Sequence, residues 1–292
     1  MRSMCPYCGS TAQRPGPERS TFRYARCARC GSGYVASEPI DFRAFYGEYD
    51  PALVLELPPV LRSRYRDMIA MLGAAAPGRR MLEVGCGNGH FLALARDAGW
   101  EVCGTELSRA HAERARDQGL DVLYGDVVEE RLFPGRRFDA VVAMEVIEHL
   151  PEPRRFLAFA AERLSSGGLV FLTTPNFGSV TRRALGSAWS VLGEEHVALA
   201  SPRGLSLALR DAGFDVVRLR SKSLYLGEYL RAFRGGEGRT GVPLAAENAA
   251  LRDQIEESRA LSMMKRAANA VLRVTGLGEA LECLARLGRR GA

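Results

Sequence analysis

Lysine is nearly absent from this chain: of 40 basic residues only Lys222 and Lys265 are lysines, and arginine fills the rest. A skew of that kind reads as coding bias. The formal charge of +6 and the pI near 9.1 therefore carry little weight as an argument for a nucleic-acid partner. Long apolar runs are missing too, and none approaches the roughly 18 residues that a spanning helix needs. The N-terminus has no charged-then-apolar leader, since Cys5 arrives at once and polar residues follow. These absences set the expectation of a cytoplasmic protein. No internal repeat is visible, and 292 residues exceed one average domain and leave ample material for a core.

Four of the seven cysteines are organised. Cys5, Cys8, Cys27 and Cys30 form a C-x2-C-x18-C-x2-C pattern in which a glycine follows each pair, the spacing of a zinc ribbon with two knuckles. Two disulfides are the alternative, and the missing leader argues against them. Residues 21–24 alternate like a short strand. A ribbon this small has almost no apolar core, so the metal would supply its folding energy. Cys86, Cys103 and Cys283 are isolated and read as small core residues.

The rest is organised around residues 81–89, Met-Leu-Glu-Val-Gly-Cys-Gly-Asn-Gly. An apolar strand runs into glycines at alternate positions, and an amphipathic helix starts at His90. Such a turn lets a ligand lie against bare backbone at the positive end of a helix. A second strand over residues 100–105 ends in Glu106, where a carboxylate can accept both ribose hydroxyls. A third, over 121–124, ends in Gly125-Asp126, where a carboxylate can accept from an adenine amino group. Residues 138–144 form a buried fourth strand.

At these residues the chain resembles the class I S-adenosylmethionine-dependent methyltransferases, whose signature is E/D-x-G-x-G-x-G followed by an acidic residue closing the second strand. The dinucleotide fingerprint G-x-G-x-x-G does not fit. The resemblance covers about residues 60–220 and implies an α/β, Rossmann-like seven-stranded sheet with its last strand antiparallel. It implies that Glu83, Gly85, Gly87 and Gly89 hold the methionine end of the cofactor, Glu106 the ribose, and Asp126 with Val127 the adenine. Cys86, Leu107 and Met144 complete the expected lining.

Around that core the expected order is a zinc ribbon at 1–38, a linker at 39–59, the methyltransferase core at 60–220, a helical lid at 221–275, and the last strand with a tail at 276–292. The linker carries Phe42, Phe45, Tyr46 and Tyr49, which would pack the ribbon onto the next domain. Apolar spacing from Leu61 to Leu72 predicts a helix over the first strand. Ser108 should cap a helix ended by Gly119. A helix over 153–164 should stop at Gly167-Gly168 before a fifth strand at 169–174. Ser201-Pro202 should open another helix, ended by Gly213 before a sixth strand at 214–219. Residues 279–287 would supply the antiparallel strand, although their Ala and Leu content also suits a helix. Residues 263–274 hold Lys265, Arg266 and Arg273 and no acid. They would lie on an anionic membrane as a basic amphipathic helix, or cap the active site.

The chemistry is expected just past the fourth strand, in Glu145-Val146-Ile147-Glu148-His149. One helical turn there would place Glu145, Glu148 and His149 on one face. The E-x-x-E-H run resembles that of the ubiquinone-biosynthesis O-methyltransferases and of the small-RNA 2'-O-methyltransferases, in which it holds a metal together with a further histidine. His196 is the matching position here. The resemblance thus implies a magnesium or manganese site at Glu145, Glu148, His149 and His196. The alternative is general-base catalysis by His149 or His196 beside Glu148. The run Thr174-Pro175-Asn176-Phe177, then Trp189 and Glu195-His196, resembles the small-molecule and glycan branch. The expected acceptor is a hydroxyl of a glycan, diol or catechol-like small molecule. An RNA methyltransferase gripping phosphates with its ribbon, a sugar C-methyltransferase and a non-catalytic cofactor-sensing scaffold stand as alternatives.

Overall fold

The computed structural model describes residues 3–19, 22–37, 45, 57–130, 132–222, 271–272 and 274–288. The linker residues Phe42, Tyr46 and Tyr49, nearly all of the expected lid and most of 263–274 lie outside them. Among the described residues no helix is long and apolar enough to cross a membrane.

The chain begins with three short strands, β1 (Gln13–Glu18), β2 (Arg23–Cys27) and β3 (Gly33–Val35). Helix α1 (Pro59–Ala75) leads into β4 (Arg80–Val84), α2 (His90–Asp97), β5 (Glu101–Glu106), α3 (Arg109–Asp117), β6 (Asp121–Tyr124) and β7 (Phe138–Met144). Then follow α4 (Pro153–Arg163), β8 (Leu164–Pro175), α5 (Val180–Leu185), β9 (Ala198–Leu199), α6 (Pro202–Asp211), β10 (Phe214–Lys222) and β11 (Ala280–Leu287).

Seven strands form the main sheet in the order β10-β11-β8-β7-β4-β5-β6, with β11 antiparallel to both neighbours. The four central strands are parallel and covered on both faces, which is why residues 140–144 of β7 and 169–172 of β8 read as continuous apolar runs. One layer packs Leu72, Met81, Phe91 and Phe171 beneath α1, where the Tyr65 ring meets Phe91 edge-on at 5.2 Å. Truncating Leu72, which is fully buried, would cost about 2–5 kcal/mol. Chain direction reverses at β4: β5 and β6 build outward on one side, then the chain returns to lay β7 and β8 on the other. A ligand crevice forms at such a switch point, outside the carboxyl ends of the strands.

The predicted caps hold. Ser108 Oγ accepts from His111 N, Ser201 Oγ accepts from Gly204 N, and Gly119 and Gly213 take positive φ of 75° and 88°. One detail differs from the sequence reading: helix α4 ends at Arg163, and Gly167-Gly168 lie within the irregular start of β8 rather than at a helix stop. The Ala- and Leu-rich segment 280–287 is the expected antiparallel strand and not the alternative helix, because two neighbours supply ladder partners along its length and pairing outweighs helix propensity.

The N-terminal strands are joined to the core. They make a second sheet, β1-β2-β3-β9, whose fourth strand comes from the loop between α5 and α6. Gly33 pairs with Leu199 and Tyr34 with Ala198. Pro15 and Pro17 lie in β1, an edge strand, where a missing N–H is tolerated. The side chains of Cys5, Cys8, Cys27 and Cys30 are buried together with all four sulfurs within 4.8 Å of one another. Cys5 Sγ to Cys30 Sγ and Cys8 Sγ to Cys27 Sγ are each 3.6 Å, close to the edge of a tetrahedron with metal–sulfur bonds of about 2.3 Å. Gly9 and Gly31 turn with positive φ and donate to the Cys5 and Cys27 carbonyls, closing the two knuckles.

Candidate active site

A cavity of about 250 Å³ opens at the carboxyl ends of β4, β5, β6 and β7, lined among others by Gly85, Gly87, Glu106, Leu107, Asp126, Val127, Glu145 and His149. The three glycines of the first turn have positive φ and three different jobs. At Gly87 a Cβ would meet nothing within 4 Å, so its backbone is the bare face toward the cavity. At Gly85 a Cβ would strike Val146 Cγ2 at 2.6 Å, so this glycine admits the turn that follows β7. At Gly89 it would strike Leu120 Cδ1 at 2.4 Å, which makes this a packing position for α2 against α3.

Glu106 closes β5 with its carboxylate accepting from Gly87 N at 2.8 Å and Ser108 N at 2.9 Å. Asp126 Oδ1 accepts from Val128 N and Glu129 N, which orients its carboxylate at the cavity wall. Glu83 lies beneath the turn, buried, with Oε2 lacking a hydrogen-bond partner. Burial, and then the charge of Glu106, raise its carboxyl well above the usual carboxylate range. Its unpartnered oxygen sits behind the glycine turn and not in the cavity lining, so the feature that fits a bound cofactor is the bare backbone at Gly87. Cys86 turns into the cluster of Leu92, Ala112 and Leu120, and Met144 packs on the layer beneath α1. These two, with Gly89 and Glu83, support the cavity without lining it.

Past β7 the chain does not form the expected helical face. Glu145 adopts φ +53°, which breaks away from the strand, and a tight turn follows in which His149 N donates to Val146 O. Positive φ at a residue with a side chain is strain of a kind found at functional sites. Thr173 Oγ1 donates to Glu145 Oε1 at 2.7 Å, and Thr174 Oγ1 donates to Glu148 Oε2 at 2.9 Å. Glu148 is fully buried, and burial together with the Glu145 charge raises its carboxyl well above the usual range. His149 Nε2 lies 3.9 Å from Glu148 Oε1, and the His149 and His196 rings are 4.7 Å apart. Glu148, His149 and His196 offer ligand atoms within 4.8 Å of one another, whereas Glu145 falls outside that set and is held toward Thr173. Three of the four predicted residues thus converge.

Both histidines are oriented by backbone carbonyls: His149 Nδ1 is 3.0 Å from Glu195 O, and His196 Nδ1 is 2.5 Å from Val191 O. A carbonyl only accepts, so each Nδ1 carries the proton, which fixes the tautomer in which Nε2 is the basic nitrogen. Burial, followed by the charge of His196, pulls the His149 pKa down to about 4.

The ribbon holds this wall. Tyr24 Oη donates to His196 O at 2.7 Å and lies 3.0 Å from Gly193 O, while the fully buried Tyr7 Oη donates to Ala198 O at 2.7 Å. Ala198 N in turn donates to Glu148 O. The segment bearing His196 is clamped between the ribbon and the turn after β7. Nothing in the spacing of Tyr7 or Tyr24 marks them for that task. The cavity residues Thr105, His111, Val146, Leu150 and Phe156 also escaped the sequence reading, because each has an ordinary structural use.

With this geometry in view, a family model described as "Methyltransferase domain" matches residues 60–219. The chain belongs to the S-adenosylmethionine-dependent methyltransferases. It is 32% identical over 146 residues to a protein named ubiquinone biosynthesis O-methyltransferase from Bordetella avium, covering 47% of this chain and 58% of that one. A protein of the same name from a Chelativorans species is 36% identical over 138 residues, covering 45% and 53% respectively. The chain thus spans somewhat over half the length of these curated relatives. Among solved structures, an S-adenosylmethionine-dependent methyltransferase from Archaeoglobus fulgidus superposes with a TM-score of 0.51 at 17% identity, covering 77% of this methyltransferase and 94% of that chain, a likeness of fold.

Proposed function

We propose that this methyltransferase moves a methyl group to a hydroxyl that has a neighbouring hydroxyl, on a glycan, diol or catechol-like small molecule. The observation that carries the reading is the convergence of Glu148, His149 and His196 at the turn beside the cofactor cavity. The name O-methyltransferase borne by the relatives agrees with it.

S-adenosylmethionine, held by Gly85, Gly87, Glu106, Asp126 and Val127, supplies an electrophilic methyl on a sulfonium. In-line displacement then mostly requires an oxygen that is close and aligned. The chain's own part is to take the hydroxyl proton. His149 suits this task, because its burial keeps the ring neutral across the physiological range and its Nδ1 is spent on a carbonyl, which leaves Nε2 to accept. The same three residues fit a magnesium or manganese ion, since two imidazoles with carbonyl-anchored Nδ1 atoms and a carboxylate form a recognised donor set. An ion held by Glu148, His149 and His196 would lower the pKa of a chelated hydroxyl. At the ribbon, Cys5, Cys8, Cys27 and Cys30 would hold one zinc with no position open to water, a structural site.

The test is mass spectrometry of products from a panel of catechols, diols and glycans with wild type and the His149→Ala and His196→Ala variants. Methylated product from wild type and a large loss in both variants is the expected result. Full activity in both variants would remove these residues from the reaction.

A further inference from the structure

The seam between the ribbon and α5 gathers arginines that no carboxylate among the described residues offsets. In residues 3–37 there are five arginines and a single acid, Glu18, and that acid is spent on Arg23 at 2.6 Å. The ladder places the others. Arg14 stands directly opposite Arg26 across β1 and β2, and Arg26 stands opposite Gly33 across β2 and β3. Cross-strand partners share a face of the sheet, so the guanidinium pair flanks the spot where Gly33 has no side chain. The Phe177 ring fills that spot, within 2.3 Å of where a Gly33 Cβ would be. Over Phe177 lies Arg182, its Cζ 4.6 Å from the ring centroid and its Nε donating to Phe177 O. Arg183 is its neighbour on α5.

Like charges directly opposite in a sheet are destabilising. Here two are joined by a third that is half-buried, and among the described residues no carboxylate pairs with Arg14, Arg26, Arg182 or Arg183. Burial, and then the charges of Arg26 and Arg183, push the Arg182 pKa down to about 10. An arrangement that costs energy when empty is relieved by a bound anion. A cluster of guanidiniums suits the bidentate geometry and double charge of a phosphoryl group. Phe177 is fully buried, so its ring offers no face on which a base could stack, unlike the aromatic platforms of a single-strand nucleic-acid groove.

We propose that this seam, with Arg26 and Arg182 at its centre and Arg14 and Arg183 flanking, is a binding site for a phosphoryl group carried by the methyl acceptor. The link to the acceptor comes through Tyr24, whose ring stacks on Phe177 at 6.3 Å and whose hydroxyl holds the His196 carbonyl. That link rests on the reading of His149 and His196 given above; the anion site itself does not.

The experiment is calorimetric titration of the zinc-replete full chain with inorganic pyrophosphate, free of divalent cations. S-adenosylhomocysteine is present at saturation to fill the cofactor cavity. Saturable binding is expected, weakened at least tenfold by Arg26→Gln and by Arg182→Gln, with zinc content retained as evidence that the ribbon is folded and S-adenosylhomocysteine affinity retained as evidence that the core is. Should Arg182→Gln lose the fold, the exposed Arg26→Gln and Arg14→Gln carry the test. Absence of saturable binding, or binding unchanged in Arg26→Gln, overturns the site. A single-stranded oligoribonucleotide that binds where pyrophosphate does not, and is lost in the same variants, overturns it in favour of a nucleic-acid face. If His149→Ala and His196→Ala stay active while pyrophosphate binding persists, the anion site stands and only its assignment to the acceptor falls.

Discussion

The two halves of the active site are built by opposite means. The cofactor half uses backbone: glycines with positive φ, strand ends and a carboxylate that accepts from main-chain N–H groups, all drawn from the stretch between β4 and β6. The half that we assign to the acceptor uses side chains from three distant segments, the turn at 145–149, the loop at 191–199 and the ribbon at 5–35. The first half stands on the main sheet. The second leans on the ribbon, because Tyr7, Tyr24 and β3 hold the segment that carries His196.

The sharpest way to break this comparison is to dismantle the ribbon. Cys27→Ser should remove the zinc and lower turnover by about 100-fold or more, the cost of misplacing a reacting group by an ångström. Affinity for S-adenosylhomocysteine should be nearly unchanged. Zinc analysis, product formation and calorimetry on the same preparation check all three, and equal losses in both halves would show that they are not independent.

The converse variant, Glu106→Ala, should act on the cofactor half alone. It removes the carboxylate that we propose holds the ribose and should weaken cofactor binding by about 1.5–3 kcal/mol, roughly 10- to 100-fold. Unchanged calorimetric affinity would contradict the assignment. A smaller effect is expected from Tyr24→Phe, which keeps the ring on Phe177 but releases the His196 carbonyl. The loss of that bond should cost about 1 kcal/mol of stability. It should lower kcat while leaving KM for S-adenosylmethionine in place, and a parallel rise in that KM would refute a role confined to the acceptor side.

The smallest change separates the two histidines. In the proposed mechanism the neutral ring of His149 serves as the base, and burial pulls its pKa down to about 4. Activity in divalent-free buffer should therefore vary less than about twofold between pH 8 and 6, where a free imidazole would already be titrating. Activity should fall only as pH drops toward the depressed value. An acid limb centred near the ordinary imidazole pKa would exclude His149 as the base. Dependence on added magnesium or manganese, abolished by chelator with the ribbon zinc retained, would replace the base by a metal.

Much of the cofactor half was legible in the sequence because its determinants are local. Gly85, Gly87 and Glu106 stand at spacings that a strand, a turn and a second strand impose, and Cys5, Cys8, Cys27 and Cys30 show their convergence by pattern alone. Motif spacing could not tell apart the three glycines, since the neighbours that give each its role, Val146 and Leu120 among them, come from elsewhere in the fold. The helical face proposed for Glu145, Glu148 and His149 did not form at Glu145, which takes positive φ while Thr173 Oγ1 donates to its carboxylate and Val146 packs against Gly85.

The sequence by itself determined the parallel α/β core, the position of the cofactor turn and the four-cysteine knuckles, because periodicity, glycine and residue spacing act over a few residues. Only the tertiary structure decided that β11 is a strand and not a helix, that the ribbon shares a sheet with β9, and that Arg182 of α5 comes within electrostatic reach of Arg26. Those outcomes depend on partners more than a hundred residues away along the chain, whose hydrogen bonds and packing outweigh local preference.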